Sequence, residues 1–348
     1  MGCPPTPPAG GPSSAGLGEG PVTQVIIPER YGQRVVRALV VSNMLPDLGH
    51  PERGSFVRDQ VDALRHLDGL QVELYEFPPG GNALRHAFLD LRRRYGGKRF
   101  EVVHAHFGLS AWPALAVRAR ARALTVHGTD VRHPRTRQAT RAVLPFMDLL
   151  GAVSASLAGE LPGRAARRRT QVLPCGVDLD RFGALPRKEA RLKLGLEPDR
   201  PYLLFPADPT RPSKRYDRAL EVAGEVKLLT LGGIDPKEVP LWINAANAVL
   251  VPSEEEGFGL AVLEALACEV PVLATPVGVH AEALDGLQGV LCAPFDAASW
   301  RAALAAHLSS EDPRVPGRPH AARFSAQRMA ERVAGAWRVA LERAGNGS

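Results

Sequence analysis

The stretch 248–275 constrains the fold more than any other part of the chain. Ala248–Val251 is an apolar run that ends at Pro252, which is typical of a buried strand. An acidic, glycine-containing loop follows, then Leu260–Cys268 carries apolar residues at helical spacing, and Val270–Ala274 returns to a strand pattern. This order predicts a strand, loop, helix, strand unit of a parallel sheet. Such sheets bind ligands at the carboxyl ends of their strands, so the loop is a candidate ligand site.

The loop and the start of the helix suit a nucleotide diphosphate. Gly257 and Gly259 allow a phosphate to approach the backbone, and the free N–H groups and dipole of a helix beginning at Leu260 favour negative charge. Glu256 and Glu264 are separated by seven residues, which places one in the loop and the other about one turn into the helix. Carboxylates accept hydrogen bonds from vicinal hydroxyls, so this pair could hold a sugar and a ribose.

Residues 253–275, SEEEGFGLAVLEALACEVPVLAT, closely resemble the E-x7-E motif of retaining glycosyltransferase family 4. In that family the first Glu contacts the donor sugar and the second contacts the nucleotide ribose, which implies these roles for Glu256 and Glu264. The alternative is a loop glutamate and a solvated helix glutamate. The resemblance implies that the donor is bound by Gly54, Glu256, Gly257, Phe258, Gly259, Leu260 and Glu264.

Upstream, apolar runs alternate with helical stretches, which predicts a parallel, doubly wound α/β sheet. The predicted strands are Ala38–Ser42, Val72–Phe77, Val102–Ala105, Leu124–His127, Leu149–Val153, Gln171–Leu173, Tyr202–Phe205 and Lys227–Leu231. The resemblance implies a GT-B fold, in which two Rossmann-like, doubly wound domains face a central cleft and a C-terminal helix returns to the first domain. The direct run from Lys227–Leu231 into Pro236–Asn247 is similar to a compact subset that includes teichuronic-acid-type biosynthesis enzymes.

Composition shifts and motifs suggest the domain boundaries. The first residues are rich in Pro, Gly and Ser without periodicity. Pro174–Phe182 looks like the family's PNGVD-x-x-x-F segment, with Cys175 in place of Asn, and would end the first domain. We therefore predict a disordered leader (1–33), an N-terminal domain on the acceptor side (34–182), a linker (183–200), a C-terminal domain on the donor side (201–318), and a crossover helix with a tail (319–348).

Two strand ends in the first half carry candidate residues. Gly54 resembles the family's glycine-containing loop over the donor phosphates, and the alternative is a glycine that only ends a turn. His127, in His-Gly-Thr-Asp, resembles the family's histidine beside the donor sugar, so we assign it a catalytic role; the alternative is a structural turn histidine. His104 is predicted to be a core residue. We expect no metal site from His104, His106 and His127, on the expectation that the two strand histidines point to opposite faces.

The segment after Tyr202–Phe205 carries the cations that would hold a diphosphate. Lys214 matches the family lysine, since Arg215-Tyr216-Asp217 stands where Gly-Phe-Asp is common. The family arginine position falls on Pro209, so Arg211 is a substitute. Glu256, His127, Arg211 and Lys214 are thus the predicted catalytic residues, and no cofactor beyond the nucleotide-sugar co-substrate is implied.

Charge and cysteine usage bear on partners and compartment. Residues 85–170 hold seventeen Lys and Arg against five Asp and Glu, most densely at Arg92–Arg94 and Arg164–Arg169. Without a recognised nucleic-acid motif, we expect no nucleic-acid partner, and an anionic membrane suits this charge better. The alternative is a solvated arginine-rich surface. Scattered cysteines without a CxxC pair, and no apolar run of membrane-spanning length, favour a cytoplasmic protein, with peripheral contact at the inner membrane face left open.

The sequence as a whole predicts a metal-independent retaining glycosyltransferase. It would move a sugar from a nucleotide-diphosphate sugar to a hydroxyl of a sugar, lipid-linked or small-molecule acceptor, in cell-surface polysaccharide or glycolipid assembly. Two alternatives remain: a GT-B sugar-nucleotide epimerase, and a catalytically inactive nucleotide-sugar-binding partner of a polysaccharide assembly complex.

Overall fold

The structure is a computed structural model that describes residues 35–346. The predicted leader, 1–33, lies outside the described residues. The described part contains two parallel sheets. The strands are β1 (Val36–Ser42), β2 (Leu70–Glu76), β3 (Arg99–His106), β4 (Arg118–Val126), β5 (Leu149–Ala152), β6 (Thr170–Val172), β7 (Tyr202–Phe205), β8 (Lys227–Thr230), β9 (Ala248–Val251), β10 (Val272–Ala274) and β11 (Leu291–Cys292).

Helices connect these strands and cover both faces of each sheet. The helices are α1 (Ser55–Arg65), α2 (Gly81–Tyr95), α3 (Gly108–Ala114), α4 (Thr129–Arg132), α5 (Pro134–Val143), α6 (Ala155–Glu160), α7 (Arg164–Arg169), α8 (Arg187–Lys193), α9 (Tyr216–Ala223), α10 (Val239–Ala245), α11 (Leu260–Ala267), α12 (His280–Leu284), α13 (Ala297–Ser309), α14 (Arg318–Ala322) and α15 (Ala326–Asn346). Leu144–Phe146 and Pro212–Lys214 form single 3₁₀ turns.

Both sheets share one topology. The first has the order β2-β1-β3-β4-β5-β6 and the second the order β11-β10-β9-β7-β8. In each sheet the chain adds its second strand on one side of the first strand and all later strands on the other side, so the strand order reverses beside the first strand. Parallel strands buried on both faces explain the continuous apolar runs, and β9 is buried at every residue. Open α/β sheets bind ligands at the carboxyl edge where the strand order reverses, here beside β1 and β3 and beside β7 and β9. The predicted two-domain, Rossmann-like α/β architecture is confirmed.

The last helix returns to the first sheet, as predicted. The buried side of α15 includes Val333 and Trp337, which join the cluster formed by Val57 and Val61 of α1 and by residues of the first sheet. The segment that ends the chain therefore contributes to the core of the domain that begins the described part. No helix within residues 35–346 combines the length and apolar character needed to cross a membrane.

Strand bounds shift by a few residues from those predicted, and two places in the structure have a clear physical reason. Strand β4 begins at Arg118, earlier than predicted, because its first half alternates arginine with alanine and does not form a continuous apolar run. The predicted linker, 183–200, contains helix α8, whose Arg187 and Arg191 are almost fully buried. Arg187 Nε donates to the Ala246 carbonyl at 2.9 Å and Arg191 Nη2 donates to Asn247 Oδ1 at 2.7 Å, so this segment is fixed to the second sheet.

Candidate active site

A cleft of ≈ 440 Å³ opens between loops that follow strands of the two sheets. One wall comes from the loop after β1 and from the segment around Arg181, and the other comes from the loops after β7 and β8 and from α11. The polar residues on these walls include His50, Glu52, Ser55, Arg181, Asp208, Thr210, Arg211, Lys214 and Glu264. The cleft thus lies at the carboxyl edges, where topology predicts a ligand site.

Glu256 and Lys214 form an ion pair at this site. Lys214 Nζ lies 2.6 Å from both Glu256 carboxylate oxygens, and the Ser253 hydroxyl donates to Oε1 at 2.8 Å. Burial raises the pKa of Glu256, but the charge and hydrogen bond of Lys214, with His280 and Ser253, outweigh it and hold the pKa below its usual range. The structure therefore brings together two residues that the sequence places forty-two positions apart. A sugar at Glu256 and a phosphate at Lys214 would be neighbours.

Glu264 lies in α11, about one turn after the start of the helix, and lines the cleft. Burial raises the pKa of its carboxyl to about 7, with Asp59 adding to the shift and Arg181 opposing it. No hydrogen bond to this carboxylate is present within residues 35–346. A partly buried carboxyl without a protein donor is suited to accept hydrogen bonds from a ligand, unlike a fully solvated helix glutamate.

Arg211 lies on the same wall as Lys214, but it is exposed and has no ion-pair partner in the part of the chain that the structure describes. The N–H of Lys214 donates to the Arg211 carbonyl at 3.1 Å across the 3₁₀ turn Pro212–Lys214, which fixes the spacing of the two residues. The two cations of this wall therefore differ in availability: Lys214 is neutralised by Glu256, whereas Arg211 is open to an anionic ligand.

The glycines of the loop before α11 are required by close contacts within the protein. A Cβ on Gly257 would lie 2.1 Å from the His127 carbonyl oxygen, and a Cβ on Gly259 would lie 2.4 Å from His280 Nε2. Gly259 also has φ +109°, a conformation that L side chains rarely adopt. The sequence suggested that Gly257 makes room for a phosphate. In the structure the group that lies against Gly257 is the backbone carbonyl of His127.

Phe258, between these glycines, is buried, and its ring packs edge-on against Phe324 with centroids 6.0 Å apart. A donor would therefore meet Phe258 only through its backbone, and the predicted contact does not extend to the ring. Leu260 is the first residue of α11 and is partly buried against the core.

His127 lies at the end of β4 in an aromatic setting. Its ring contacts Phe56 and Phe107, with centroids 4.9 and 4.5 Å away, and its Nε2 lies 3.0 Å from His106 Nδ1. Asp130 Oδ1 accepts from the His127 N–H at 2.9 Å and so fixes the backbone. Burial, together with His106, holds the pKa of His127 well below its usual range, so the ring is neutral near pH 7.

The expectation that His104 and His106 point to opposite faces is wrong, because residues two apart in a strand share a face. Their rings stack with centroids 4.8 Å apart, and His106 stacks on His127 at 5.2 Å. His104 is a core residue, as predicted: the Trp337 indole N–H donates to its Nδ1 at 3.1 Å, and its Nε2 bonds Thr125 Oγ1 at 2.8 Å. Within residues 35–346 no group of three or more His, Cys, Asp or Glu side chains is arranged to hold a metal ion.

Gly54 precedes α1 with φ +71°, and a Cβ there would lie 2.5 Å from the Met44 carbonyl oxygen. These contacts fit the alternative of a turn glycine, and its donor role stays a prediction. The neighbouring residues His50, Glu52 and Ser55 line the cleft, so the turn shapes the cleft wall.

Sequence reasoning missed two arginines that organise the site. Arg181 donates to both Asp59 carboxylate oxygens, at 2.8 and 2.6 Å, and so joins the end of the first domain to α1 beside Glu264. Its position in the segment resembling PNGVD-x-x-x-F was the available signal. Arg132 binds Glu160 and also reaches the Glu256 carbonyl at 3.3 Å.

The neighbouring glutamates, for which the sequence offered no role, also hold this loop. Glu255 pairs with Arg132 at 3.5 Å, whereas Glu254 pairs with Arg215 and, at 3.3 Å, with Arg218. Ion pairs on both sides of the loop thus fix Glu256 toward Lys214.

The chain resembles proteins of known structure in its fold. Sucrose-phosphate synthase from Thermosynechococcus elongatus aligns with 88% of this chain and 98% of its own, with a TM-score of 0.64 and 21% identity. Anabaena HepE, solved in complex with UDP and glucose, aligns with 87% of this chain and 99% of its own, with a TM-score of 0.65 and 14% identity. At these identities the likeness establishes the fold.

Sequence comparison establishes the family. Residues 29–181 match Glycosyltransferase Family 4, and residues 193–326 match Glycosyl transferases group 1. A D-inositol 3-phosphate glycosyltransferase from Geodermatophilus obscurus is 30% identical, covering 97% of this chain and 88% of the relative. A D-inositol 3-phosphate glycosyltransferase from Nocardia farcinica is also 30% identical, over 70% of this chain. The chain therefore belongs to the GT-B glycosyltransferases that join a Glycosyltransferase Family 4 domain to a group 1 domain.

Proposed function

We propose that the protein transfers a sugar from a nucleotide-diphosphate sugar to an acceptor hydroxyl, with retention of configuration at the anomeric carbon. The observation that carries this proposal is that Glu264, Lys214 and Arg211 line one cleft and that Glu256 pairs with Lys214 there. Two carboxylates suit the hydroxyls of sugar and ribose, and two cations suit the diphosphate. The names of the relatives and the UDP complexes of Anabaena HepE support a donor of this class.

In this arrangement the protein acts mainly on the leaving group. The diphosphate gains negative charge as the bond from the anomeric carbon to its oxygen breaks, so Lys214 and Arg211 stabilise the transition state more than the bound donor. The amino-terminal end of α11 adds positive potential. Glu256 positions the sugar and Glu264 the ribose, and no step requires a metal.

Retention follows if the acceptor attacks from the face that the diphosphate leaves. The acceptor oxygen forms the new bond to the anomeric carbon, and its proton passes to the departing phosphate oxygen. The pKa of His127 lies well below its usual range, so the neutral ring is a weak proton acceptor, and we assign it to orienting the sugar by a hydrogen bond. Cell-surface polysaccharide or glycolipid assembly is the proposed setting, and the relatives make an inositol phosphate the first small acceptor to test.

The stereochemistry of the product tests this proposal. A thermal-shift screen with UDP, GDP, ADP and CDP identifies the base, and the corresponding sugar nucleotides are then incubated with inositol 3-phosphate, simple sugars and lipid-linked acceptors. We expect proton NMR coupling constants of the product to show the anomeric configuration of the donor. Inverted product would overturn retention, donor epimerised without acceptor would favour the epimerase alternative, and binding without any turnover would favour the non-enzymatic partner.

The assignment of His127 to the sugar gives a separate prediction. His127→Ala should lower turnover by about 2- to 10-fold, the loss of one hydrogen bond, with little change in nucleotide diphosphate affinity. Steady-state kinetics and calorimetry would measure the two effects. The exposed His133, six residues along the chain, provides the matched His133→Ala control. An equal loss of nucleotide affinity would show that His127 is structural or lies elsewhere in the site.

A further inference from the structure

Helix α2 exposes an apolar pair flanked by arginines. Arg85, Phe88, Leu89 and Arg92 follow helical spacing and share one side of the helix. Phe88 is 37% exposed and Leu89 is 55% exposed, although both are large apolar side chains. The opposite side is buried through Ala87, Leu91 and Tyr95. The core therefore accounts for one side of α2 and leaves the other without a partner in the described part of the chain.

Helices α3 and α5 lie beside α2 on the same side of the first sheet. Each of these helices leads to a strand that lies farther along the sheet in the same direction, from β2 toward β6. Right-handed crossovers place helices with the same direction of crossing on one face of the sheet. The three pack in a row, whereas α1 and α15 cover the other face. Trp112 of α3 is 37% exposed and donates to the Ala139 carbonyl at 3.1 Å, and Phe146, just after α5, is 56% exposed.

The charge of this layer is strongly positive. Helix α5 carries the exposed residues Arg135, Arg137 and Arg141, and neither α3 nor α5 contains an acidic residue. The one acidic residue of α2, Asp90, is already held by Tyr75, Arg93 and Arg94. The layer therefore presents guanidinium groups that no carboxylate within it neutralises.

We propose that the outer surface of α2, α3 and α5 docks on an anionic lipid membrane. We call this surface the α2–α3–α5 face and define it by Arg85, Phe88, Leu89, Arg92, Trp112, Arg137, Arg141 and Phe146. Exposed Phe, Leu and Trp side chains between arginines suit the interface of a bilayer, where the rings and alkyl chains enter the headgroup region and guanidinium groups meet lipid phosphates. Phosphate contacts alone would explain the arginines but leave the exposed apolar side chains without a function.

Two arginines of the dense cluster Arg164–Arg169 are held by backbone carbonyls of their own segment. Arg167 Nε donates to the Leu161 carbonyl at 3.3 Å, and Arg169 Nε donates to the Ala165 carbonyl at 3.2 Å. These guanidinium groups satisfy backbone acceptors, so a count of arginines along the sequence overstates what this cluster offers to a ligand.

Vesicle sedimentation with the full chain tests the proposal. Vesicles of phosphatidylcholine with phosphatidylglycerol are compared with phosphatidylcholine alone, at low and high salt. We expect binding to the anionic vesicles that falls steeply with salt. Arg85→Gln/Arg92→Gln/Arg141→Gln should weaken it on the order of 10²-fold, since each basic side chain contributes roughly fivefold. Phe88→Ser/Leu89→Ser should weaken it about tenfold or more.

The matched control removes three exposed basic residues outside this layer, in Lys193→Gln/Arg200→Gln/Lys237→Gln, and should bind as the native chain does. Melting temperatures confirm that the variants fold. Equal binding to neutral vesicles, unchanged binding of Phe88→Ser/Leu89→Ser, or an equal loss in the control would overturn the proposal. Salt-sensitive binding to a duplex oligonucleotide without vesicle binding would overturn it in favour of nucleic acid. These outcomes are independent of transferase activity, so they distinguish this proposal from the proposed function.

Discussion

Lys214→Ala is expected to reduce turnover on the order of 10²–10³-fold, the cost of losing one preorganised donor to a developing oxyanion. The loss should fall mainly on the chemical step, because the leaving diphosphate is more negative in the transition state than in the bound donor. Turnover and nucleotide diphosphate affinity are measured for the same preparation. The substitution also leaves Glu256 buried without its cation, so a lowered melting temperature should accompany the kinetic effect.

Arg211→Ala removes a cation that would contact only the ligand, whereas Lys214→Ala also removes an ion pair within the protein. Arg211 has no ion-pair partner within residues 35–346, so its removal should leave melting unchanged while lowering turnover if it binds the diphosphate. Because both cations would hold one diphosphate, the double variant should lose less than the sum of the two single losses on a logarithmic scale. A fully active Lys214→Ala would eliminate the phosphate role, and additive losses would show that the two residues act at separate places.

Glu264→Gln should weaken nucleotide diphosphate binding by about 1–3 kcal/mol, since charge-assisted hydrogen bonds from the ribose become neutral ones. Calorimetry of the native chain and the variant measures this. Glu225→Gln is the matched control, since Glu225 is an exposed glutamate of the same domain that does not line the cleft. Unchanged affinity of Glu264→Gln would remove the ribose assignment.

The raised pKa of Glu264, about 7, gives this effect a pH signature. Ribose hydroxyls donate to the ionised carboxylate, so the ratio of dissociation constants, variant to native, should increase from about pH 6 to about pH 8 and then level. Using the ratio cancels the titration of the nucleotide phosphates. In the absence of ligand, burial favours the protonated carboxyl, so its contribution to stability is full below the ordinary value of 4.5 and is lost as pH rises through about 7. A pH-independent ratio would contradict the assignment.

The local features of the site could be predicted from the sequence because they depend on neighbours in the chain. The apolar runs Tyr202–Phe205 and Ala248–Val251 coincide with β7 and β9, since a strand buried on both faces needs a continuous apolar run. Glu256 and Glu264 have a fixed spacing across the start of α11. The alternating start of β4 and the buried arginines of α8 were missed, because solvent-facing strand residues and buried guanidinium groups depart from an apolar pattern.

What only the tertiary structure decided is which distant groups meet. The ion pair of Lys214 with Glu256, the contact of Gly257 with the His127 carbonyl and the link of Arg181 to Asp59 each join segments that are far apart in the sequence. The sequence determined the fold class, the candidate residues and the excess of arginine. Side-chain partners, the pKa of Glu264 and the exposure of Phe88 and Leu89 depend on burial and on charges contributed from other elements, which local periodicity does not encode.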